Sequence, residues 1–304
     1  MTSQFTGYLA APGFVHEVVD EVGRVLAVHD RLVLAEGPPR PSAWSQNVWL
    51  DPVRLTIGSI RDAVRQLRAI QRDWVLYSHD LHRRAALIAA ELPRLRSSPV
   101  AFGTPAPPPR LGSWTLLDTS TVIAAPRCSS PFPHGEVEFI EDRQAPPNRA
   151  YLKLWEAFTL LGIRPQPGEP CLDLGASPGG WTWVLASLGA DVLAIDKAPL
   201  APSVAALPNV RFESGSAFAV EPARFTGGAR PLAWLFCDVA CYPERLLGMV
   251  ERWIAAAAVR HMVCTIKFQG PTDHAMVARF AQIPGSRVMH LWHNKHELTW
   301  VWSN

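Results

Sequence analysis

The sequence predicts an α/β protein in two parts: a C-terminal half built on a doubly wound parallel sheet, with a smaller α+β region ahead of it. Three observations carry this reading. From Asn148 onward, apolar strand-like runs alternate with helical stretches, the order that builds parallel sheets. One of these runs, Cys171-Leu172-Asp173-Leu174, enters a glycine-rich turn from Gly175 to Gly180 and then a helix. Two proline-rich stretches, at 97–113 and at Pro146-Pro147, interrupt the chain before that half, since proline continues neither a helix nor a central strand.

Taken in order, an apolar segment at Gly7–Ala11 is followed by a helical stretch over Phe14–Val28, strands near Arg31–Ala35 and Asn47–Leu50, a helix over Ser59–Arg72 and a strand at Trp74–Ser78. That βαββαβ order predicts a small ferredoxin-like sandwich. A helix over His82–Leu92 stops at Pro93, and strands near Trp114–Ala124 and Glu136–Ile140 close the first region, set at 1–147. In the second region, 148–304, a helix over Tyr151–Leu161 stops at Gly162, a helix-ending glycine. Seven strands follow, at Pro170–Leu174, Asp191–Ile195, Val210–Glu213, Leu232–Cys237, Met262–Phe268, Arg287–Trp292 and Leu298–Trp302. Helices over Trp181–Leu188, Pro243–Val259 and Asp273–Gln282 lie between them.

Composition bounds the function. At 304 residues, 48% hydrophobic and 18% charged, the chain can bury two cores and is not a disordered protein. Its five cysteines are odd in number and lack Cys-x-x-Cys spacing, so neither a disulfide framework nor a zinc site is indicated and a reducing cytoplasm is expected. The N-terminus has no basic segment leading into an apolar core, and no run approaches the ~20 apolar residues of a membrane span. Net charge is only +2, which is no global signature of a nucleic-acid binder. Charge is nevertheless uneven: nine arginines fall between Arg54 and Arg96 against four acids. Arg61, Arg65, Arg68 and Arg72 share one helical face, which could hold phosphates or equally be a solvated helix surface.

The glycine turn has a physical purpose. Gly175, Gly179 and Gly180 permit a tight bend and close backbone approach, while the N–H groups opening the next helix favour an anionic group. About twenty residues on, a second strand ends in Asp196, where a carboxylate at the edge of such a sheet grips ribose hydroxyls. The pair implies a nucleoside-bearing cofactor. Only four lysines occur, Lys153, Lys197, Lys267 and Lys295, so each stands out among 29 basic residues. Lys267 and Asp238 both end apolar strands, where side chains converge on the ligand crevice of an open α/β sheet.

The loop Asp-Leu-Gly-Ala-Ser-Pro-Gly-Gly-Trp, 173–181, lacks the Gly-x-Gly-x-x-Gly of dinucleotide folds. It resembles the S-adenosylmethionine loop of the FtsJ-like ribose methyltransferases, and in particular the RlmM family, which modifies 23S ribosomal RNA. Lys153, Asp238, Lys267 and Glu297 fall, in order and in similar local sequence, on the Lys-Asp-Lys-Glu tetrad of that superfamily. The resemblance is closest from about Trp114 to Asn304, where Ala-Pro-x-Cys at 125–128 and Lys-Leu-x-Glu-Ala-Phe at 153–158 also recur. The first hundred residues match only in layout, opening with Ala-Pro-Gly-Phe, and are shorter than the family's THUMP-containing region.

The resemblance implies a Rossmann-like seven-stranded methyltransferase domain behind a ferredoxin-like or THUMP-like region that recognises RNA. It implies S-adenosylmethionine as cofactor and 23S ribosomal RNA or a pre-ribosomal particle as partner, in a cytoplasmic monomer with no metal. Gly175, Ser177, Pro178, Gly179, Gly180 and Trp181 are then expected around the methionine end, Asp196 at the ribose and Asp238 beside the cofactor. Asp173 would support the loop or the ammonium group. Ser216 stands where the family presents an acidic residue towards adenine, so adenine recognition is expected to rest on backbone contacts or to be weak.

The chemistry can be reasoned from the reaction itself. Methylating a ribose hydroxyl needs in-line attack by an oxygen whose proton is removed, hence a base. An ordinary lysine, with a pKa of about 10.4, is protonated at neutral pH, and lowering it three units takes roughly 4 kcal/mol. Burial and a neighbouring ammonium act in that direction. Lys267 is therefore expected to be the base, with Lys153 orienting the hydroxyl and lowering the pKa of Lys267. Asp238 and Glu297 would hold the two ammonium groups in place. The rival readings are a catalytically silent RNA-binding or ribosome-assembly protein and a methyltransferase acting on a non-RNA hydroxyl. His293, Lys295 and His296 beside Glu297 lack the further ligands of a metal site. Cys237 and Cys241 read as packing residues, as do Trp181, Trp183 and Trp234, while Trp44 and Trp49 could stack on bases, with core packing the commoner use.

Overall fold

The computed structural model describes residues 4–95, 98–226 and 232–304; Arg96 and Ser97, named above, lie outside the described residues. The chain divides into two compact units, Met1–Glu138 and Phe139–Asn304.

Unit 1 runs β1 (Phe5–Ala10), α1 (Val15–Val22), β2 (Val25–His29), β3 (Leu32–Glu36), β4 (Ser45–Leu50), β5 (Val53–Thr56), α2 (Ile60–Ile70), β6 (Trp74–Leu76), α3 (His82–Glu91), β7 (Gly112–Leu116), β8 (Thr121–Ala125) and β9 (Arg127–Cys128). It holds two sheets, ordered β2-β3-β1-β4-β9 and β5-β8-β7-β6, where one ferredoxin-like sandwich was expected. The helix expected over Phe14–Val28 ends at Val22, because Gly23 adopts φ +83° and turns the chain. Val25–His29 then alternates half-buried and exposed positions and pairs with β3 as a strand. No helix separates β3 from β4, and α2 belongs with the second sheet.

Two further expectations are corrected in this unit. Trp114–Ala124 is two strands, β7 and β8, folded back through a turn in which the Asp118 carboxylate accepts the Ser120 N–H at 2.7 Å. Glu136–Ile140 forms no strand. The α2 and α3 helices bury Ala63, Val64, Leu67, Ala85 and Ile88 against Trp74 and Trp114. Trp44 and Trp49 are fully buried, which removes them as base-stacking surfaces.

Unit 2 runs α4 (Tyr151–Leu161), β10 (Pro170–Leu174), α5 (Gly180–Ser187), β11 (Asp191–Asp196), α6 (Pro202–Ala205), β12 (Val210–Ser214), β13 (Leu232–Cys237), α7 (Pro243–Ala255), β14 (Val259–Lys267), α8 (His274–Ala281), β15 (Ser286–Met289) and β16 (Glu297–Ser303). Its seven strands form one sheet in the order β12-β11-β10-β13-β14-β16-β15. The first five are mutually parallel, whereas β16 runs antiparallel to both β14 and β15, so the sheet is mixed rather than wholly parallel. Every residue of β13 is buried, as a central strand covered on both faces requires. The strand order reverses between β10 and β13, and a crevice forms outside the carboxyl ends at such a switch point.

Among the described residues no helix is long and apolar enough to cross a membrane.

Candidate functional site

Lys153 sits on α4, whose first eight residues are all buried. A lysine 8% exposed on such a face needs counter-charge. Its Nζ donates to Asp238 Oδ1 at 3.1 Å and Oδ2 at 3.0 Å, and to Glu297 Oε1 at 3.1 Å. Lys267 Nζ meets the same carboxylate at 2.9 Å and donates to the Asp238 carbonyl oxygen at 2.6 Å. Asp238 follows the last residue of β13 and Lys267 ends β14. Glu297 begins β16 directly opposite Lys267, because the antiparallel register pairs those two residues. The reversed direction of β16 is what brings a first-of-strand carboxylate to the same edge as two last-of-strand groups. All four residues of the expected tetrad therefore meet in one cluster.

The electrostatics of the cluster are unequal. Burial opposes the charge on Lys153 and is the largest single influence, yet Asp238 and Glu297 together hold its pKa above the ordinary lysine value. Burial likewise pushes the Asp238 carboxyl up, but the Lys153 and Lys267 ammonium groups outweigh it and hold the pKa low. Lys153 is a fixed cation and Asp238 a fixed anion. A Lys153 ammonium so placed also sits 5.7 Å from the centre of the Trp181 ring.

The glycine turn lies between β10 and α5. Gly175 and Gly179 adopt φ +77° and +113°, values that side-chain-bearing residues rarely take. A Cβ on Gly175 would come within 2.3 Å of Val239 Cγ2, and one on Gly180 within 2.2 Å of Asn148 Oδ1. The loop is thus packed to its backbone on both sides. Asp196 ties it down: its Oδ2 accepts the Ser177 N–H at 3.0 Å and its Oδ1 the Ala198 N–H at 2.9 Å. Each oxygen keeps a second acceptor site, which a ribose hydroxyl could use. The Asp196 carbonyl also accepts the Gly215 N–H at 3.0 Å, bringing the Ser216 turn to the same edge. Pro178, joined to Ser177 by a cis peptide, accepts the Ala201 N–H through its carbonyl at 2.9 Å.

Asp173, 1% exposed on β10, accepts the Thr182 hydroxyl at 2.6 Å. Burial pushes its pKa up to about 7, with Asp238 and Asp196 adding repulsion and the Thr182 bond opposing it. Trp181 turns inward, its Nε1 donating to the Ala150 carbonyl at 3.0 Å and its ring meeting Phe236 edge-on at 6.3 Å. It fastens the glycine turn to the start of the helix that carries Lys153.

Three residues have roles that the sequence did not assign, although Glu156 lies within the Lys-Leu-x-Glu-Ala-Phe motif. Thr182 orients Asp173, Asn148 backs Gly180, and Glu156 binds the chain ahead of β16 at Trp292 and His293. Glu156 had one visible signal, an acid one turn from Lys153 on an otherwise apolar helix. His293 spends its Nδ1 on Glu156 at 2.6 Å, and His296 Nε2 pairs with Thr272 Oγ1 at 3.1 Å. Of the arginines, Arg61, Arg65 and Arg68 are exposed on α2, while Arg72 lies beyond its last residue. Arg65 pairs with Asp62 at 2.5 Å and Arg68 reaches the Glu91 carbonyl.

Residues 146–259, which hold the glycine turn, Lys153 and Asp238, match the family model of the FtsJ-like methyltransferases. The ribosomal RNA large subunit methyltransferase M of Halorhodospira halophila is 35% identical over 161 residues, covering 50% of this chain and 46% of that protein. The protein of that name from Aromatoleum aromaticum is 34% identical over 203 residues, covering 60% and 53%. The chain spans about half the length of the curated relatives it matches. Among solved structures, the fibrillarin pre-rRNA processing protein of Methanococcus jannaschii aligns with a TM-score of 0.39 at 18% identity, covering 62% of this chain and 80% of that one. Over residues 146–259 the chain matches the FtsJ-like methyltransferases, and over half its length or more it is similar to the ribosomal RNA large subunit methyltransferases M.

Proposed function

We propose that the chain transfers a methyl group from S-adenosylmethionine to a ribose 2'-hydroxyl of RNA, with 23S ribosomal RNA as the target. The observation that carries this is the cluster of two lysines and two carboxylates at the strand ends, within the sheet whose β10–α5 turn is a glycine loop packed to its backbone. Unit 2 acts as a Rossmann-like catalytic domain and unit 1 as the RNA-recognition region, in a monomeric cytoplasmic enzyme.

The residues suit the cofactor. Two positive-φ glycines and the N–H groups opening α5 favour its carboxylate end, Asp196 has acceptor sites left for ribose hydroxyls, and Asp173 lies beneath the turn. Ser216 adds a backbone-lined turn for adenine in place of an acidic side chain. When bound, the cofactor supplies an electrophilic methyl group on a sulfonium.

The chain's own groups handle the proton. Lys267 reaches the Asp238 carboxylate and carbonyl through two N–H bonds, and once its third ammonium proton has passed to solvent its Nζ lone pair takes the 2'-hydroxyl proton. Asp238 then stabilises the ammonium that forms. Lys153, held cationic by Asp238 and Glu297, donates to the attacking oxygen and steadies its developing charge.

The test is transfer of labelled methyl to ribosomal RNA from cells lacking the protein, followed by mapping of the 2'-O-methyl position. Label that enters RNA at one ribose supports the proposal. Label that survives nuclease points to a non-RNA hydroxyl, and absence of label with intact cofactor binding points to a catalytically silent RNA-binding protein.

A further inference from the structure

We infer that Glu156 is a positioning residue that sets where Glu297 meets Lys153, an inference that rests on the reaction proposed above. Glu156 lies one helical turn after Lys153 on α4 and is 1% exposed. Its carboxylate gathers three donors from the chain ahead of β16: Oε1 accepts the Trp292 N–H at 2.8 Å, and Oε2 accepts the His293 N–H at 3.1 Å and His293 Nδ1 at 2.6 Å. The His293 ring packs on Phe139, with centroids 5.7 Å apart.

The segment so held is internally braced. His290 Nε2 donates to the Lys295 carbonyl at 2.9 Å, the Asn294 N–H to the Leu291 carbonyl at 3.0 Å, and Asn294 Nδ2 to Thr299 Oγ1 at 3.1 Å. A braced segment moves as a unit, so fixing it at 292–293 also fixes Glu297 four residues on. The helix therefore grips this segment at two levels, Glu156 to Trp292 and His293, and Lys153 to Glu297 at 3.1 Å. Four polar contacts between one helix and one short stretch of chain define their relative position to within a fraction of an ångström, the tolerance that catalytic geometry demands.

Removing the Glu156 grip lets the segment shift, so that Lys153 loses one of its two carboxylates and the hydroxyl-orienting ammonium is misplaced. Glu156→Gln tests this with little change in size, since its amide would face the two His293 donors in place of an acceptor oxygen. In the full chain, kcat for methyl transfer to RNA should fall by on the order of 10- to 100-fold while the KM for S-adenosylmethionine stays within about twofold. In a Glu297→Gln background the same change should cost little more, because Glu156 acts through Glu297.

Losses that multiply in the double variant, or a wild-type kcat in Glu156→Gln, overturn the inference. If Glu156→Gln does not fold, His293→Ala, which removes one of the three bonds, is read in the same cycle. A crystal structure of the variant gives a readout independent of turnover: the Lys153–Glu297 separation should open beyond about 4 Å, the limit of an ion pair. An unchanged separation refutes the positioning role even if the wild-type chain methylates nothing, whereas that inactivity by itself sinks only the reaction.

Discussion

Lys153 and Lys267 share one carboxylate but not one role. Lys153 has two carboxylate partners and is held charged, whereas Lys267 bonds the Asp238 side chain and carbonyl and is the base of the proposed reaction. Lys267→Ala should therefore lower turnover by on the order of 10²- to 10⁴-fold, the usual worth of a positioned base, with cofactor affinity retained in calorimetry. Wild-type turnover in that variant would remove the base assignment. Asp173 carries a second prediction at this scale. Burial raises its folded pKa to about 7, against about 3.9 in an unfolded chain, so folding holds its proton more tightly. Its contribution to stability is fully present below about pH 4 and is lost as pH rises through about 7. Asp173→Asn should thus gain melting temperature relative to wild type between pH 4 and pH 7; parallel pH profiles for the two proteins would contradict this.

Among elements, the glycine turn is packed to its backbone. A methyl group on Gly180 meets Asn148 Oδ1, which also accepts the Ala150 N–H, so the side chain cannot move away without losing that bond just ahead of α4. Gly180→Ala should weaken cofactor binding by roughly tenfold, or about 1.4 kcal/mol, measured by titration calorimetry; unchanged affinity would show that the turn yields elsewhere. How much an element announces itself depends on its punctuation. Tyr151–Leu161 forms over the predicted span because a largely apolar run ends at Gly162, which adopts φ +70°. β2 was hidden inside an apolar stretch that suits a helix as well as a strand, and only the positive φ of Gly23 separates them. The β7–β8 hairpin is indistinguishable from one strand in the sequence because Leu117–Ser120 carries neither glycine nor proline, its turn being made by the Asp118 side chain.

At the scale of the whole molecule, the arginines on and just after α2 carry the remaining prediction. Replacing Arg61, Arg65, Arg68 and Arg72 with Gln should weaken RNA binding and flatten its dependence on salt, by about 0.7 in the log–log slope for each lost phosphate contact. Because Arg65, Arg68 and Arg72 already have partners at Asp62, Glu91 and Asp73, the change should amount to fewer than four contacts. An unchanged slope would leave these residues as a solvated helix face.

By itself the sequence determined the strand–turn–helix with its glycines and the alternation that makes the C-terminal sheet, since these depend on local backbone needs and on residue type, and resemblance to a family pattern picked out Lys153, Asp238, Lys267 and Glu297. Tertiary structure alone decided three things. It reversed β16, so that Glu297 faces Lys267 across the sheet; it joined Glu156 to a segment 136 residues away; and it split the N-terminal region into two sheets. Each depends on contacts between residues far apart in the chain, and hydrophobic periodicity marks which face of an element is buried without naming the partner that buries it.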